Sequence, residues 1–300
     1  RGAAALCVER LLELPVPQVV VPSVRRAMGP VASVFHGHPS AHLLTAGITG
    51  TNGKTTSAFL VAHLLDRAGA RAGLMGTIER RVGGVSTSAA RTTPEALDIQ
   101  RDLAAMVEAG DKAVVMEVSS HALDLGRVLG VRFGAIAFTN LTQDHLDYHQ
   151  TLDAYFEAKR LLFTDPVYTG DTAVAVINLD DAYGRRLAAE YPSERLLTFS
   201  TDAAATTAAD LVMRDYVIDA AGTHGVLLTS KWGEHELMSP LVGGFNVANA
   251  LTALGIGLGL GLDLRSMLND LRAFSGVPGR MERVDAGQPF AVLVDYAHTP

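Results

Sequence analysis

Apolar runs and amphipathic segments alternate through the first half of the chain. Strand-like runs are separated by helical segments at positions 55–68 and 94–109. In the second segment Ile99, Leu103 and Met106 recur at spacings of four and three, which places them on one face of a helix. Strands that alternate with amphipathic helices are typical of βαβ units, so this part of the chain predicts a parallel sheet.

The pattern changes in the second half of the chain. After the strand-like run TAVAVINL and a helix following Asp181, positions 210–241 alternate as short antiparallel strands do. A helical region at 246–274 follows, and then come the linker-like stretch SGVPGRMERV and a last apolar run, FAVLVDYAHTP. The elements together predict an α/β fold, with a mostly parallel sheet, helices on both of its faces and a smaller antiparallel region.

These changes divide the chain into three parts. Residues 1–42 offer two strands and a helix, too little to bury a core of their own. Residues 43–278 are the expected central domain, and residues 279–300 contain a hinge and the first strand of a further domain. Because the chain starts with Arg1, we expect it to begin and end within a longer protein.

Composition and charge narrow the class of protein. The 300 residues are 48% apolar with a net charge of -7, and they contain no long Lys/Arg run, so we expect no nucleic-acid partner. The single cysteine, Cys7, excludes an internal disulfide and a Cys-rich zinc site, and it fits a reducing cytosol. The most apolar stretch, 251–262, is shorter than the ~20 residues that cross a bilayer. We therefore expect a cytoplasmic monomer that has no membrane segment.

The stretch GITGTNGKTT, residues 47–56, has the composition of a phosphate-binding loop between a strand and a helix. The strict spacing G-x-x-x-x-G-K-[ST] would place its first glycine at Ile48. Gly50 and Gly53 could nevertheless turn backbone N–H groups toward phosphates, and the helix start adds positive charge. Lys54 would then reach the phosphates and Thr55 could bind Mg²⁺. The alternative is a Gly-rich turn with a surface lysine.

This loop resembles the T-G-T-N-G-K-[TS] loop of the Mur ligase family, a group of P-loop ATPase-type enzymes. The resemblance implies that ATP is bound by Gly50, Thr51, Asn52, Gly53, Lys54, Thr55 and Thr56. The loop alone leaves relatives such as folylpolyglutamate synthase open, and a kinase or NTPase motor would share only the loop.

Two polar stretches follow later strands. Glu117, in MEVSSHAL, ends a strand, where a carboxylate suits a metal ion, although it could also be a satisfied buried acid. In NLTQDHLDYH the preference of Mg²⁺ for oxygen favours Asp144 or Asp147, and a helix cap is the alternative. The resemblance instead implies His145, because Mur ligases use the histidine of this motif at a second metal site.

Lys159, in TLDAYFEAKRLLF, falls on the apolar face of a predicted helix, with Tyr155, Phe156 and Leu162. A buried lysine is costly unless its charge is lost or paired, and the alternative is a side chain that reaches solvent. In the Mur ligases the lysine in this context is carbamylated by CO₂. The resemblance therefore implies two Mg²⁺ sites, one at Thr55 and Glu117 and one at His145 and the carbamate.

A further group of polar residues points to a second, acidic substrate. Thr92 and Thr93 precede a helix predicted to start at Pro94, where an anion can bind, although Thr93 could simply cap the helix. Ser119 and Arg127 could also hold a carboxylate.

The combination of TTP, EVSSHAL, DHLDYH and YFEAK resembles the Mur ligases that extend UDP-N-acetylmuramoyl-L-alanyl-D-glutamate (UDP-MurNAc-L-Ala-D-Glu) by one diamino acid. It implies that Thr92, Thr93, Ser119 and Arg127 contact this substrate. Leu125 stands where some members have a substrate-binding glutamine.

Three further stretches resemble parts of the Mur ligase family that lie near the nucleotide. FNVANALTA is similar to a family helix whose asparagines lie near the adenine, which implies roles for Asn246 and Asn249, although either could cap the helix. Phe245 replaces a common histidine there. GRMERV and DYAHTP resemble the family's hinge and the opening of its third domain. They imply that Arg280, Asp295 and His298 approach ATP.

The resemblance implies an ATP-dependent ligase of peptidoglycan synthesis that works through an acyl phosphate. It makes residues 1–42 the remnant of a UDP-binding domain and 279–300 the start of a ligase domain. The Ala-, Gly- and Arg-rich composition is typical of a high-GC bacterium, where diaminopimelate is common, and so favours meso-diaminopimelate over L-lysine as the added amino acid. The alternative is a nucleotide-binding fragment without turnover.

Overall fold

The computed structural model describes residues 2–169, 172–205, 208–284, 286–288, 290 and 292–296. The strands are β1 Leu6–Val8, β2 Gln18–Val20, β3 Leu44–Thr49, β4 Ala72–Met75, β5 Glu79–Val82, β6 Val85–Ser88, β7 Ala113–Glu117, β8 Ala135–Phe138, β9 Val174–Asn178, β10 Leu196–Ser200, β11 Leu211–Asp219, β12 Gly222–Thr229, β13 Gly233–Ser239, β14 Glu282–Val284 and β15 Val292–Val294. The α-helices are α1 Val24–Phe35, α2 Lys54–Arg67, α3 Ala96–Glu108, α4 Ser120–Asp124, α5 Leu146–His149, α6 Leu152–Thr164, α7 Pro166–Thr169, α8 Ala182–Glu190, α9 Gly244–Gly259 and α10 Leu264–Leu271.

One sheet of eleven strands organises the central part of the protein. Its order is β13-β12-β11-β10-β9-β8-β3-β7-β4-β5-β6. The strands from β11 to β4 pair in parallel, while β12 and β13 at one edge and β5 and β6 at the other pair antiparallel. The prediction of an α/β fold with a mostly parallel sheet and a smaller antiparallel region is confirmed.

Both faces of the sheet are covered by helices, which explains why the central strands are almost continuously apolar. Along β7, Ala113 and Val115 pack into the core beneath α2, α9 and α10. Val114 and Met116, which point the other way, pack into the core on the side of α3 and α6. Both faces of the central strands are therefore buried, and the carboxyl ends of these strands lie at the same edge of the sheet.

Two local predictions differ from the structure, and one hairpin was not predicted. The helical region expected at 246–274 is two helices, because Gly261 adopts a φ of +86° and Asp263 caps α10 by accepting from Ser266 N. The helix expected to start at Pro94 starts at Ala96. The hairpin β5–β6 was not predicted, although its Gly83-Gly84 turn, with φ of +60° and +79°, is typical of one.

The ends of the chain form small separate sheets. β1 and β2 pair in parallel and lead into α1, while β14 and β15 pair antiparallel. The division at residues 42 and 278 stays a prediction. No helix among the described residues is long and apolar enough to cross a bilayer.

Candidate functional site

A cavity of about 710 Å³ opens at the carboxyl ends of β3, β7 and β8. Ligands bind at this edge of parallel sheets because loops and helix starts converge there. Most of the predicted site residues line the cavity: Thr51, Asn52, Gly53, Lys54, Thr55, Thr56, Thr92, Glu117, Ser119, His145, Lys159, Asn246, Asn249, Arg280 and Asp295. Gly50, Thr93 and Arg127 are not among the residues that line it, and His298 lies outside the described residues.

The phosphate-loop sequence forms a tight turn between β3 and α2. Gly50 and Gly53 have φ of +148° and +86°, which side chains rarely adopt. A Cβ at Gly50 would overlap Thr139 Oγ1, and one at Gly53 would overlap Asn249 Oδ1. Both glycines are therefore needed for backbone shape and for close approach to neighbouring elements.

Residues just after β8 hold this loop in place. Asn140 accepts from Thr51 N through its carbonyl at 2.8 Å and from Asn52 N through Oδ1 at 3.0 Å. Thr139 Oγ1 donates to the carbonyl of Asn52 at 2.6 Å. Sequence reasoning did not identify Thr139 and Asn140. Their position directly after a buried strand, beside the strand that carries the loop, was the available signal.

Lys54 is folded back onto its own loop. Its Nζ donates to the carbonyl oxygens of Gly50 and Thr51, at 2.9 and 2.7 Å. Burial lowers the pKa of Lys54, and the carboxylates of Glu117 and Asp144 oppose that shift. Among the described residues, this amine donates to backbone oxygens, and it lies at the loop that a phosphate would enter.

Glu117 and Thr55 meet at the floor of the cavity. Thr55 Oγ1 donates to Glu117 Oε2 at 3.0 Å. Thr77, just past the end of β4, donates to the same carboxylate through its backbone N (2.7 Å to Oε1) and its Oγ1 (3.0 Å to Oε2). Sequence reasoning missed Thr77. Gly76 is required beside it, because a side chain there would collide with the Glu117 carboxylate.

Lys159 is almost completely buried, with 1% of its surface exposed. Its Nζ donates to the Gly50 carbonyl at 2.8 Å and lies 4.4 Å from the centroid of the Tyr155 ring. Within the described residues no carboxylate forms an ion pair with it. Burial, and secondarily the charge of Lys54, hold the pKa of Lys159 well below its usual value. Both effects shift the equilibrium of this amine toward its neutral form.

His145 projects into the cavity from the start of α5. Its backbone has a φ of +53°, and its side chain is 48% exposed. Its Nε2 lies 3.4 Å from Asp144 Oδ2, and Asp144 also lines the cavity, whereas Asp147 does not. The structure thus brings the histidine favoured by resemblance and one aspartate favoured by ligand chemistry to the same place.

The four residues assigned to the acidic substrate form a wall beside Glu117, in which Thr92 and Ser119 line the cavity and Thr93 and Arg127 do not. Thr93 Oγ1 donates to the Glu117 carbonyl at 2.8 Å and accepts from Ser119 N at 3.1 Å. Ser119 Oγ caps α4, while Glu95, not Thr93, occupies the cap position of α3. The alternative that Thr93 caps the helix is therefore wrong.

Two further members of this wall have side-chain partners. Thr92 Oγ1 lies 3.1 Å from Thr77 Oγ1. Arg127 pairs with Glu95 at 3.0 Å. The hydroxyl and the guanidinium are thus held by neighbouring side chains on the same wall as Glu117.

The side chains of Asn246 and Asn249, in α9, form hydrogen bonds with each other and with neighbouring residues. Asn246 Nδ2 donates to the Val242 carbonyl, and Asn249 Nδ2 donates to Asn246 Oδ1, both at 2.8 Å. Ser57 Oγ donates to Asn249 Oδ1 at 3.4 Å, which ties the start of α9 to α2.

Arg280, of the predicted hinge, and Asp295, of the predicted opening of the further domain, are also hydrogen-bonded. Arg280 Nη1 donates to the Tyr296 carbonyl at 2.9 Å, and Asp295 Oδ1 accepts from Met281 N at 2.9 Å. These contacts join the hinge to the strand that follows it.

The oxygen atoms of Thr55 and Glu117 suit a hard cation that completes its coordination shell with water and phosphate oxygens. Within the part of the chain that the structure describes, no three His, Cys, Asp or Glu side chains converge as a ready metal site. Mg²⁺ commonly takes one or two protein ligands and completes its shell with water and phosphate oxygens. The adjacent Thr55 hydroxyl and Glu117 carboxylate fit that requirement.

Comparisons with known proteins point to one family. Residues 48–257 match the family model described as the Mur ligase middle domain. A protein of Thermosynechococcus vestitus named UDP-N-acetylmuramoyl-L-alanyl-D-glutamate--2,6-diaminopimelate ligase is 49% identical over 94% of this chain and 56% of its own length. A protein of the same name from Gloeobacter violaceus is 48% identical over 100% of this chain and 60% of its own length.

Solved structures show the same likeness. One titled as the structure of UDP-N-acetylmuramoyl-L-alanyl-D-glutamate--2,6-diaminopimelate ligase has a TM-score of 0.85 and 34% identity, over 99% of this chain and 60% of that one. Folylpolyglutamate synthase of Mycobacterium tuberculosis, at 19% identity and a TM-score of 0.70, shares the fold. The chain spans somewhat more than half the length of the curated relatives it matches.

Proposed function

Because the chain belongs to the Mur ligase family, we propose that it supplies the ATP-binding centre of a ligase that adds a diamino acid to UDP-MurNAc-L-Ala-D-Glu. The observation that carries the proposal is one cavity that holds Lys54, the Thr55–Glu117 pair and the buried Lys159. Residues 43–278 are the central domain in this proposal. Residues 1–42 end a UDP-binding domain, and residues 279–300 begin a ligase domain.

ATP binds with its phosphates in the loop formed by residues 50–56. The loop offers backbone N–H groups, the positive end of α2 and the Lys54 amine, which exchanges its carbonyl partners for phosphate oxygens. Arg280, Asp295 and His298 approach the nucleotide from the hinge side. The glycine geometry of the loop and its attachment to Asn140 support this placement.

Two Mg²⁺ sites accompany the nucleotide. Thr55 and Glu117 hold the first, and His145 with carbamylated Lys159 holds the second. When bound, Mg²⁺ neutralises phosphate charge and so lowers the barrier to bringing anions together. The contact between Thr55 and Glu117 supports the first site, and the exposed imidazole at the cavity wall supports the second.

The carbamate forms on the neutral Lys159 amine. Its nitrogen attacks the carbon of CO₂, a C–N bond forms, one C=O electron pair moves to oxygen, and a proton leaves the nitrogen for solvent. A buried neutral amine thereby becomes a buried anion beside Lys54. The pKa of Lys159, which burial lowers, supports this step because only the unprotonated amine can react.

The reaction first brings together two anions, the substrate carboxylate and ATP, and then adds an amine to the acyl phosphate. An oxygen of the D-glutamate γ-carboxylate attacks the terminal phosphorus of ATP, and ADP leaves. The amine of the diamino acid attacks the acyl phosphate, loses a proton, and expels inorganic phosphate to leave an amide. The protein contributes position and charge neutralisation, for which Lys54 is the principal cation.

The sugar-nucleotide substrate lies along the wall formed by Thr92, Thr93, Ser119 and Arg127. We assign meso-diaminopimelate as the added amino acid, because the similar proteins are named for 2,6-diaminopimelate. The protein acts as a cytoplasmic monomer that needs neither nucleic acid nor a membrane partner.

The direct test is the mass of the product. The chain is incubated with MgATP, UDP-MurNAc-L-Ala-D-Glu and either meso-diaminopimelate or L-lysine, and ADP and the extended sugar nucleotide are measured. We expect extension with meso-diaminopimelate and none in Lys54→Ala. ATP binding without extension would favour a nucleotide-binding fragment without turnover. ADP formation that depends on a folate would favour a folylpolyglutamate synthase.

A further inference from the structure

Asp181 uses its two carboxylate oxygens to hold two different elements. It lies directly before α8, and its Oδ1 accepts from Tyr183 N at 2.9 Å and from Gly184 N at 3.1 Å. Capping of a helix by an aspartate needs one oxygen. The other oxygen, Oδ2, accepts from Leu141 N at 2.9 Å, in the loop that follows β8. Helix capping therefore explains only one of the two oxygens.

Asn178, the last residue of β9, is a second anchor for the loop after β8. Its side chain is buried, and its Nδ2 donates to the Thr139 carbonyl at 2.8 Å. Asn178 and Asp181 thus hold the two peptide groups that flank Asn140, one by its carbonyl and the other by its N–H. The backbone orientation of Asn140 is therefore fixed from the side of β9.

Asn140 is in turn a residue that holds the phosphate loop. Its carbonyl accepts from Thr51 N, its Oδ1 accepts from Asn52 N, and its Nδ2 donates to the Asn52 carbonyl at 3.1 Å. A loop that binds phosphate through backbone N–H groups depends on the direction in which these groups point. A chain of hydrogen bonds therefore runs from Asp181 and Asn178 through Asn140 to the phosphate loop.

This support is built into the packed part of the fold. The start of α8 lies against the end of β9, where a Cβ at Gly184 would overlap the Asn178 carbonyl. β9 itself pairs with β8 and β10, and Leu141 is buried in the core. Neither Asp181 nor Asn178 is among the residues that line the cavity. An effect of either residue on a ligand is therefore transmitted by the residues that lie between them.

We propose that Asp181 is a positioning residue for nucleotide binding, which aligns the phosphate loop by holding Leu141 and thereby Asn140. This inference rests on the proposed nucleotide site and adds a residue that supports it from outside the cavity. Because the hydrogen bonds end at the phosphate loop, the support concerns the phosphates and not the base. A ligand that consists of phosphates alone therefore depends on Asp181 as strongly as ATP does.

Asp181→Ser separates the two contacts of this side chain. A serine hydroxyl still caps α8, but serine has no second oxygen to accept from Leu141 N. Dissociation constants of MgATP and magnesium tripolyphosphate are measured by calorimetry for the wild-type chain and the variant. We expect both ligands to bind about tenfold more weakly, which is the scale expected for the loss of one hydrogen bond to a carboxylate.

Asp263→Ser is the matched control. Asp263 caps α10 by accepting from Ser266 N, as Asp181 caps α8, and it does not line the cavity. We expect this variant to bind both ligands as the wild-type chain does. Urea unfolding of the two variants measures the effect of the changed cap on stability. A purely structural role of Asp181 would lower the free energy of unfolding and leave both dissociation constants unchanged.

A double-mutant cycle tests the route through Asn140. Asn140→Ala removes the side-chain contacts with Asn52, so the phosphate loop is already partly released in this variant. Adding Asp181→Ser to it should then weaken tripolyphosphate binding by less than tenfold, because coupled residues are not additive. The full tenfold effect in both backgrounds would refute the route through Asn140.

The outcomes separate this inference from the proposed function. Equal affinities in Asp181→Ser and Asp263→Ser would refute the positioning role while the nucleotide site stands. Weaker binding of ATP with unchanged binding of tripolyphosphate would also refute it, because the effect would then lie at the nucleoside. If the wild-type chain binds neither ATP nor tripolyphosphate, the proposed nucleotide site is wrong, and the positioning role falls with it.

Discussion

The side-chain nitrogens of Lys54 and Lys159 donate to one carbonyl oxygen, that of Gly50, over 2.9 and 2.8 Å. Two ammonium groups at one acceptor repel each other, and burial adds to the cost of charging either one. The pKa of Lys159 is lowered by burial and then by Lys54. The phosphate loop and the buried lysine are therefore electrostatically coupled through a single backbone oxygen.

This coupling makes Lys159→Ala the first informative variant. We expect it to lose most ligase activity, because the cavity then lacks the carbamate that would offset the charge of Lys54. A small carboxylic acid such as acetate fits the vacated volume and supplies a similar anion, so activity should be partly restored. Product formation with and without added acetate is the measurement. Full activity in Lys159→Ala without any additive would refute the carbamate.

The pKa of Lys159 also predicts how stability depends on pH. The unfolded chain binds a proton on this amine up to about pH 10.4, whereas the folded chain loses it at lower pH. Between the two pKa values the unfolded state binds more protons, so the free energy of unfolding rises with pH. Lys54, whose pKa burial also lowers, acts in the same direction.

We therefore expect the wild-type chain to gain stability between pH 7 and about pH 9.5, and Lys159→Met to gain less. One proton contributes at most about 1.4 kcal/mol per pH unit. Urea unfolding at several pH values provides the free energies. An equal gain in both proteins would mean that Lys159 keeps its proton when buried.

Local pattern was enough to predict the loop, the helix α2 and the inward orientation of Lys159. Each depends on residues close in sequence: two glycines before a helix, or a lysine in register with Tyr155 and Phe156. The helix period places such a lysine against the core whatever the rest of the chain does.

The partners contributed by neighbouring strands could not be predicted in the same way. Thr77 reaches Glu117 because β4 lies beside β7, and Asn140 reaches the loop because β8 lies beside β3. Strand order is set by the packing of the whole sheet. A threonine after a short strand has no local feature that distinguishes it from any other.

Comparing Gly53 with Gly69 distinguishes the effect of backbone strain from the effect of a steric collision in the phosphate loop. Gly53 and Gly69 have similar φ values, +86° and +80°. A Cβ built at Gly53 would collide with Asn249 Oδ1, whereas a Cβ built at Gly69 would have no atom within 4 Å. We expect both alanine variants to lose about 1 kcal/mol to strain. Only Gly53→Ala should also weaken MgATP binding, by roughly tenfold or more, because the loop must move. Equal ATP affinity in the two variants, measured by calorimetry, would contradict a need for close contact at Gly53.

Thr77→Val tests the hydroxyl that orients Glu117. Valine keeps the size of the side chain and the backbone N–H bond to Oε1 but removes the 3.0 Å bond to Oε2. Groups that orient a metal ligand commonly affect metal affinity by 10- to 100-fold. We expect about tenfold more Mg²⁺ to be needed for half-maximal ATP binding, because one of the two Thr77 contacts remains. Thr87→Val is the control, since its hydroxyl donates to the carbonyl of Arg80 on the hairpin, away from Glu117. The same Mg²⁺ requirement in both variants would show that Glu117 is positioned without Thr77, by Thr55 and the backbone alone.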